Sequence, residues 1–269
     1  MLSYQDKPLV SVCVPTYNSA RYLKESLDSI MNQIYGNLEI IVSDNASTDS
    51  TEEIVKTFTD KGVQFRRNQT NLGCYNNYNE CLKVVRGKFV AFYHSDDIYQ
   101  PEIIRREVEF LQAHCEVGAV FTLDTLIDEN NKIIGRIKIP QELRSSNSCY
   151  FDEIYKALLK YGNCFLRTPT AMVRKSVYDD VGLFNEKEFG TSADLEMWLR
   201  ILQRYPIGIL NERLAKHRLS ITQGSFEYGY LRTEKADFFK VVDYYYGKVR
   251  GKIGEDAVRR YRYLKDWDN

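Results

Sequence analysis

Short apolar runs and amphipathic stretches alternate along the first half of the chain. Residues 9–15 form a β-branched run, apolar at nearly every position, as expected of a parallel strand buried on both faces. Asn18 then offers a helix cap, and Tyr22, Leu23, Leu27, Ile30 and Ile34 follow at helical spacing. Residues 38–43 repeat the strand pattern, and Asp49 or Ser50 is placed to cap a helix over 51–58. A short strand is predicted over 63–66, a helix over 76–85 stopped by Gly87, and another strand over 88–93. Pro101 suits the first turn of an amphipathic helix over 102–114, with Ile103, Ile104, Val108 and Leu111 on one face. A strand over 118–127, a turn at Asp128-Glu129-Asn130-Asn131 and a return over 132–139 predict a hairpin.

The second half is less regular. Helices are predicted over Phe151–Tyr161 and 195–205, with a strand over 207–210 and a tyrosine-rich, broadly helical stretch over 226–262. The β-α-β-α-β order predicts an α/β fold: a doubly wound, mostly parallel sheet flanked by helices, with a helical C-terminal extension. Such sheets bind ligands beyond the carboxyl ends of their strands. Those ends carry Thr16-Tyr17-Asn18, Asp44-Asn45 and Ser95-Asp96-Asp97, so polar groups gather at one edge.

Composition narrows the classes. The 37 Lys and Arg balance 37 Asp and Glu, unlike the basic footprint of a dedicated nucleic-acid binder. The six cysteines include no C-x-x-C pair and read as free thiols in a reducing compartment. The N-terminus lacks the charge-then-apolar pattern of a secretory signal, and no apolar run approaches the roughly 20 residues that span a bilayer. A cytoplasmic protein is expected. Basic and aromatic residues, among them Phe238, Phe239, Tyr244, Tyr245, Tyr246, Lys248 and Arg250, offer core packing, a membrane-facing patch or a homodimer surface.

Several side chains have two readings on spacing alone. Asp96 and Asp97 follow a buried strand and suit a hard divalent cation, or Asp97 caps the next helix. Asp44 can accept the imide N–H of uracil or thymine or the N1–H of guanine, or it closes an Asx-turn. Asp49 reads as a loop brace. Asp194 is a general base or an acid favoured at a helix start, with Glu196 two residues on. His217 is structural, a metal ligand or a diphosphate contact. Neither G-x-G-x-x-G, G-x-x-x-x-G-K-[ST] nor G-x-S-x-G occurs, which removes the dinucleotide, P-loop and nucleophile-elbow readings.

Taken in order, the motifs resemble those of the family 2 inverting glycosyltransferases of the GT-A fold. Val10–Thr16 with Tyr17 and Asn18 is similar to that family's opening strand and P-x-Y-N turn, which includes Pro15. Ser43-Asp44-Asn45-Ala46-Ser47-Thr48-Asp49 is similar to its D-[DN]-x-S-x-D segment. Asn71-Leu72-Gly73 and Arg86-Gly87-Lys88 resemble the spacer before the metal strand, and His94-Ser95-Asp96-Asp97 the D-x-D region. Met172-Val173-Arg174-Lys175-Ser176 followed by Val181-Gly182-Leu183-Phe184 resembles the acceptor-side segment. Ala193-Asp194-Leu195-Glu196-Met197-Trp198-Leu199-Arg200 is similar to E-D-x-x-x-W-L-R, and His217-Arg218-Leu219-Ser220 to H-x-x-S. His94 stands where many relatives have the first Asp of D-x-D, and Ala193 where they have Glu.

The resemblance implies a GT-A domain over 1–222, with a nucleotide-sugar half (1–127), an acceptor half (128–222) and an extension over 223–269. It implies inverting transfer of a hexose-type sugar from a nucleoside-diphosphate sugar to a hydroxyl of a glycan, lipid-linked or protein acceptor. Pro15, Thr16, Tyr17, Asn18, Asp44, Asn45, Ser95 and Asp96 would line the donor site. Asp96, assisted by Asp97 and His217, would hold Mn²⁺ or Mg²⁺, and Asp194 would be the base. His94 and Ala193 leave one other reading, a non-catalytic nucleotide-sugar-binding or scaffold subunit.

Overall fold

The computed structural model describes residues 7–144, 146–220, 236–249 and 253–267. The first half runs β1 (Val10–Thr16), α1 (Ala20–Met31), β2 (Leu38–Asp44), α2 (Thr51–Thr59), β3 (Val63–Arg67), α3 (Cys74–Leu82), β4 (Phe89–Phe92), β5 (Ile98–Tyr99), α4 (Ile103–Ala113), β6 (Ala119–Ile127) and β7 (Ile133–Arg136). The second half runs α5 (Phe151–Tyr161), β8 (Ala171–Arg174), α6 (Lys175–Val181), α7 (Glu186–Phe189), α8 (Ala193–Leu202), β9 (Ile207–Arg218), α9 (Asp237–Val249) and α10 (Glu255–Trp267).

Among the described residues all nine strands join one sheet, in the order β3-β2-β1-β4-β8-β6-β9-β5, with β7 hanging on β6. The first four are parallel, as expected. β8 is antiparallel to both β4 and β6, which turns β6 back into the direction of β4, and β9 runs parallel to β6. The carboxyl ends of β1, β2, β4, β6 and β9 therefore share one edge. That edge collects Thr16, Asp44, His94 and His217 from four distant parts of the chain.

The near-continuous apolar strands feed two cores because side chains alternate across a sheet. Val10, Val12 and Val14 of β1 join Leu23, Leu27 and Ile30 of α1 and Ile103, Ile104, Val108 and Leu111 of α4. Cys13 faces the other way, onto Tyr75, Tyr78 and Cys81 of α3 and the core that contains Trp198. Each fully buried Leu or Ile contributes about 1.5–3 kcal/mol by leaving water.

The turn into β4 depends on Gly87. A Cβ there would lie 2.5 Å from the Ser11 backbone nitrogen and 2.8 Å from the Phe89 carbonyl oxygen. Gly87→Ala must push two buried backbones apart, so we expect a loss of about 1–3 kcal/mol, readable as a lower urea midpoint.

Three elements differ from the sequence-based expectation, each for a tertiary reason. The helix predicted from residue 76 begins at Cys74, because the Glu186 carboxylate accepts from the backbone N–H groups of Cys74 and Asn76, both at 3.0 Å. Asn18 does not cap α1; it adopts φ 48°, and Asp49 accepts from the Ala20 N–H instead at 3.0 Å. The strand expected over 207–210 continues to Arg218, since β9 pairs with β6 through two register shifts and then with β5. Its exposed, charged middle hid it from a periodicity reading.

Phe239, Val242 and Tyr245 of α9 are buried in the core. The Tyr155 hydroxyl donates to the Val242 carbonyl at 2.7 Å, and that of Tyr245 to Glu196 at 3.0 Å. These aromatic residues are core side chains, as a helical face usually is. Tyr244 is half exposed beneath Lys248, whose ammonium lies 4.3 Å from its ring centre. The sequence-predicted helix over 226–235, the boundary at 222/223 and Arg250 lie outside the described residues.

Candidate active site

The loops after β1 and β2 are built as one unit. Thr16 and Asp44 are register partners at the strand ends. Asp44 is fully buried. Its carboxylate accepts from the Ser47 hydroxyl, the Ser47 N–H at 3.1 Å and the Thr16 hydroxyl at 3.3 Å, and Arg67 Nε stands 3.6 Å away. Asn45 is equally committed: it donates to Asn71 and Gly73 and accepts from Asn68 and the Leu72 N–H. Asn18 accepts from the Thr48 N–H at 2.8 Å. Pro15 is partly buried at the end of β1, and the Tyr17 ring is left half exposed at the rim. Asp49 braces the same unit, accepting from Ala20 and from the N–H and hydroxyl of Thr51.

Beyond β4 the chain enters His94-Ser95-Asp96-Asp97. Ser95 donates to the Ser19 hydroxyl at 2.8 Å, tying this loop to the start of α1. Asp97 is fully buried. One of its oxygens accepts from the Arg218 N–H at 2.9 Å; the other faces His217 Nδ1 at 3.1 Å and His94 Nδ1 at 3.7 Å. Asp97 therefore bonds across the sheet to β9 and does not cap α4, whose N-cap is Glu102. Ligand atoms of His94, Asp97 and His217 all lie within 4.8 Å of one another. Asp96 sits beside this trio, and its carbonyl accepts from Arg218 Nε at 2.9 Å.

Electrostatics keeps the two imidazoles in the neutral form that can bind a cation. Burial, reinforced by the nearby Arg167 charge, pushes His217 down to about 4, so its imidazole is neutral at pH 7. Burial also lowers His94 and raises the Asp97 carboxyl. The Tyr78 hydroxyl meets His94 Nε2 at 2.9 Å, leaving Nδ1 turned to Asp97. A hydrogen-bond partner on the far imidazole nitrogen is the usual way a metal-binding histidine is oriented. Two nitrogens and a carboxylate oxygen fit a divalent transition ion.

Asp194 occupies the first turn of α8. The Thr168 hydroxyl donates to one oxygen at 2.9 Å and the Leu195 N–H to the other at 2.7 Å. Burial pushes its carboxyl above the ordinary aspartate value, against the lowering effect of these bonds. Ala193 is wholly buried beside it. After burial, which dominates, the charges of both Asp194 and Asp96 raise the Tyr78 phenol. The candidate base and the acidic loop thus act on one buried hydroxyl.

Two residues of the site escaped the sequence reading. Arg167, just before the turn at Thr168–Thr170, places Nε 2.9 Å from buried Asp124 of β6. Its charge acts on Asp97, His217 and Asp194, so it links the His/Asp trio to the candidate base. Asp124 carried a signal: a lone acid inside an apolar strand is costly unless paired. Arg167 carried none at short range.

A parallel-sheet edge that gathers polar loops and a His/Asp cluster at the strand ends is the arrangement of a GT-A glycosyltransferase. The model of the glycosyl transferase family 2 matches residues 11–182. The chain belongs to that family. It is 33% identical over 224 residues to the uncharacterized glycosyltransferase MJ1057 of Methanocaldococcus jannaschii, covering 81% of this chain and 73% of that one. It is 28% identical over 263 residues to the Escherichia coli UDP-Glc:alpha-D-GlcNAc-diphosphoundecaprenol beta-1,3-glucosyltransferase WfgD, covering 97% and 93%. The fold is also that of Staphylococcus aureus TarS residues 1–349 in complex with UDP-GlcNAc, with a TM-score of 0.70, 22% identity, and coverage of 94% of this chain and 70% of that one.

Proposed function

We propose that this chain moves a hexose from a UDP-sugar to a hydroxyl of a lipid-linked glycan, with inversion at the anomeric carbon. The observation that carries the reading is the partly buried, hydrogen-bonded Asp194, whose charge reaches the same Tyr78 hydroxyl that bonds His94 of the His94–Asp97–His217 trio. WfgD supports the UDP donor and the lipid-linked acceptor.

In this reading the loop unit of Thr16, Tyr17, Asn18, Asp44 and Asn45 receives the nucleoside. Asp44 and Asn45 hold the loops in shape, and the half-exposed Tyr17 ring meets the base. His94, Asp97 and His217 would hold the divalent ion, with Asp96 and Ser95 at its side. When bound, that ion supplies positive charge against the departing diphosphate. Arg167 adds a fixed positive charge to the same side of the cleft, where negative charge grows during transfer.

Asp194 takes the proton from the acceptor hydroxyl as that oxygen bonds to the anomeric carbon. The bond from carbon to the diphosphate oxygen breaks in the same displacement, and its electron pair leaves with UDP. A base needs an affinity for protons matched to its task, and the raised Asp194 carboxyl moves that way. Imidazole donors favour Mn²⁺ over Mg²⁺, which prefers oxygen ligands and keeps its water.

A thermal-shift panel tests the proposal. UDP-hexoses with Mn²⁺ should raise the melting temperature more than GDP- or dTDP-sugars, and Mg²⁺ should support a smaller rise, because a ligand selective for the native state stabilises it. Equal stabilisation by all three nucleotides would remove the UDP assignment.

A further inference from the structure

β7 lies off the main path of the sheet, at the free end of the hairpin that it makes with the core strand β6. β7 pairs with β6 and with no other strand of the described sheet. Ile133 is 50% exposed and Ile134 is 52% exposed. Neighbouring residues of a strand point to opposite faces, so both faces of the ribbon present a bare isoleucine to water. Lys132, Arg136 and Lys138 are exposed around this pair.

The charge of the ribbon is one-sided. Among the described residues, Lys132, Arg136 and Lys138 take part in no ion pair. Of the nearby acids, Asp128 keeps its charge but is folded into the turn, accepting from the N–H groups of Asn130 and Lys132, both at 2.9 Å. Glu129 pairs with Arg21 at 2.7 Å and accepts from the Ser220 hydroxyl at 2.9 Å. Exposed Arg213 adds a further cation at the base, donating to the Ile137 carbonyl at 3.1 Å. Lysines alone would serve to guard a free edge against strand pairing. Guarding does not call for two bare isoleucines at the same place.

We propose that the β6–β7 ribbon, through Ile133 and Ile134 with Lys132, Arg136 and Lys138, docks this chain on an anionic lipid bilayer surface. Apolar side chains that enter the headgroup layer, ringed by cations that meet acidic lipid, form a two-signal contact. The ribbon is also tied to the cleft. Arg218 donates to the Asp128 carbonyl at 3.2 Å and to Asn131 at 2.7 Å, while its own N–H is held by Asp97. A bilayer beneath the ribbon therefore lies on the side of the molecule where the strand ends gather. The inference rests on the lipid-linked acceptor reading only for its purpose; the contact itself rests on exposure and charge.

The full chain is mixed with vesicles of phosphatidylcholine alone or with added phosphatidylglycerol, and binding is read by co-sedimentation. The wild type should partition to the anionic vesicles and release in high salt. Lys132→Gln, Arg136→Gln and Lys138→Gln together should weaken partitioning about 100-fold, from about fivefold for each cation lost. Ile133→Ser with Ile134→Ser should weaken it independently, with unchanged circular dichroism. Both variants should retain sugar transfer to a water-soluble acceptor and lose it to a vesicle-borne one. Equal partitioning of wild type and both variants, or none by the wild type, overturns the proposal. Charge-dependent partitioning without any sugar transfer would leave the ribbon contact standing and remove the transferase reading instead.

Discussion

Asp194→Asn should lower kcat by about 10²–10⁴-fold, the usual worth of a positioned general base, while UDP-sugar affinity is unchanged. The substitution is close to isosteric, so the Thr168 hydroxyl can still donate to the amide oxygen and α8 keeps its first turn. What is lost is the ability to accept a proton. Since burial raises the wild-type carboxyl, activity should fall with acidity as that group becomes protonated, and the acid limb should lie above the ordinary aspartate range. A pH profile of kcat/KM for the wild type, with isothermal titration of donor to the variant, separates proton transfer from binding. Transfer near the wild-type rate in the variant would assign the base to another group.

Asp97→Asn should weaken Mn²⁺ binding by at least about 10–100-fold, the loss seen when even an outer-shell partner of a metal ligand is removed. Asp97 is fully buried between two imidazoles and the Arg218 N–H. An asparagine oxygen can still accept from Arg218, so the fold should survive; the negative charge that holds the cation is gone. Asp97→Ala goes further: it removes the carboxylate that accepts from the Arg218 N–H, adding about 1–3 kcal/mol of destabilisation. Mn²⁺ electron paramagnetic resonance reads the first effect, and urea denaturation of the metal-free protein the second. If Asp96→Asn lowers Mn²⁺ affinity and Asp97→Asn does not, the ion sits on Asp96 as the D-x-D resemblance implies.

The His94–Asp97–His217 cluster shows where local reading stops. D-x-D spacing directs attention to Asp96 and makes His94 look like a loss. In the fold, His94 has Tyr78 behind one nitrogen and Asp97 before the other, an arrangement assembled from α3, β4 and the loop after it. The hairpin at 132–139 and the helix at Phe151–Tyr161 were legible because turn chemistry and helical periodicity are short-range. The cap of α3 by Glu186 was not, because the donor N–H groups and the acceptor lie in different halves of the chain.

The order of elements, the parallel strands, and a candidate site at their carboxyl ends with Asp44, Asp96 and Asp194 as candidates follow from the chain itself. They are set by side-chain periodicity and by the right-handed crossovers that such strands impose. Only the tertiary structure decided that β8 reverses the sheet, so that β9 delivers His217 beside Asp97, and that Arg167 pairs with Asp124 between them. The physical reason is that burial makes these charges interact strongly while leaving their sequence spacing arbitrary: a carboxylate removed from water takes whichever partner the packing of distant strands brings within about 3 Å.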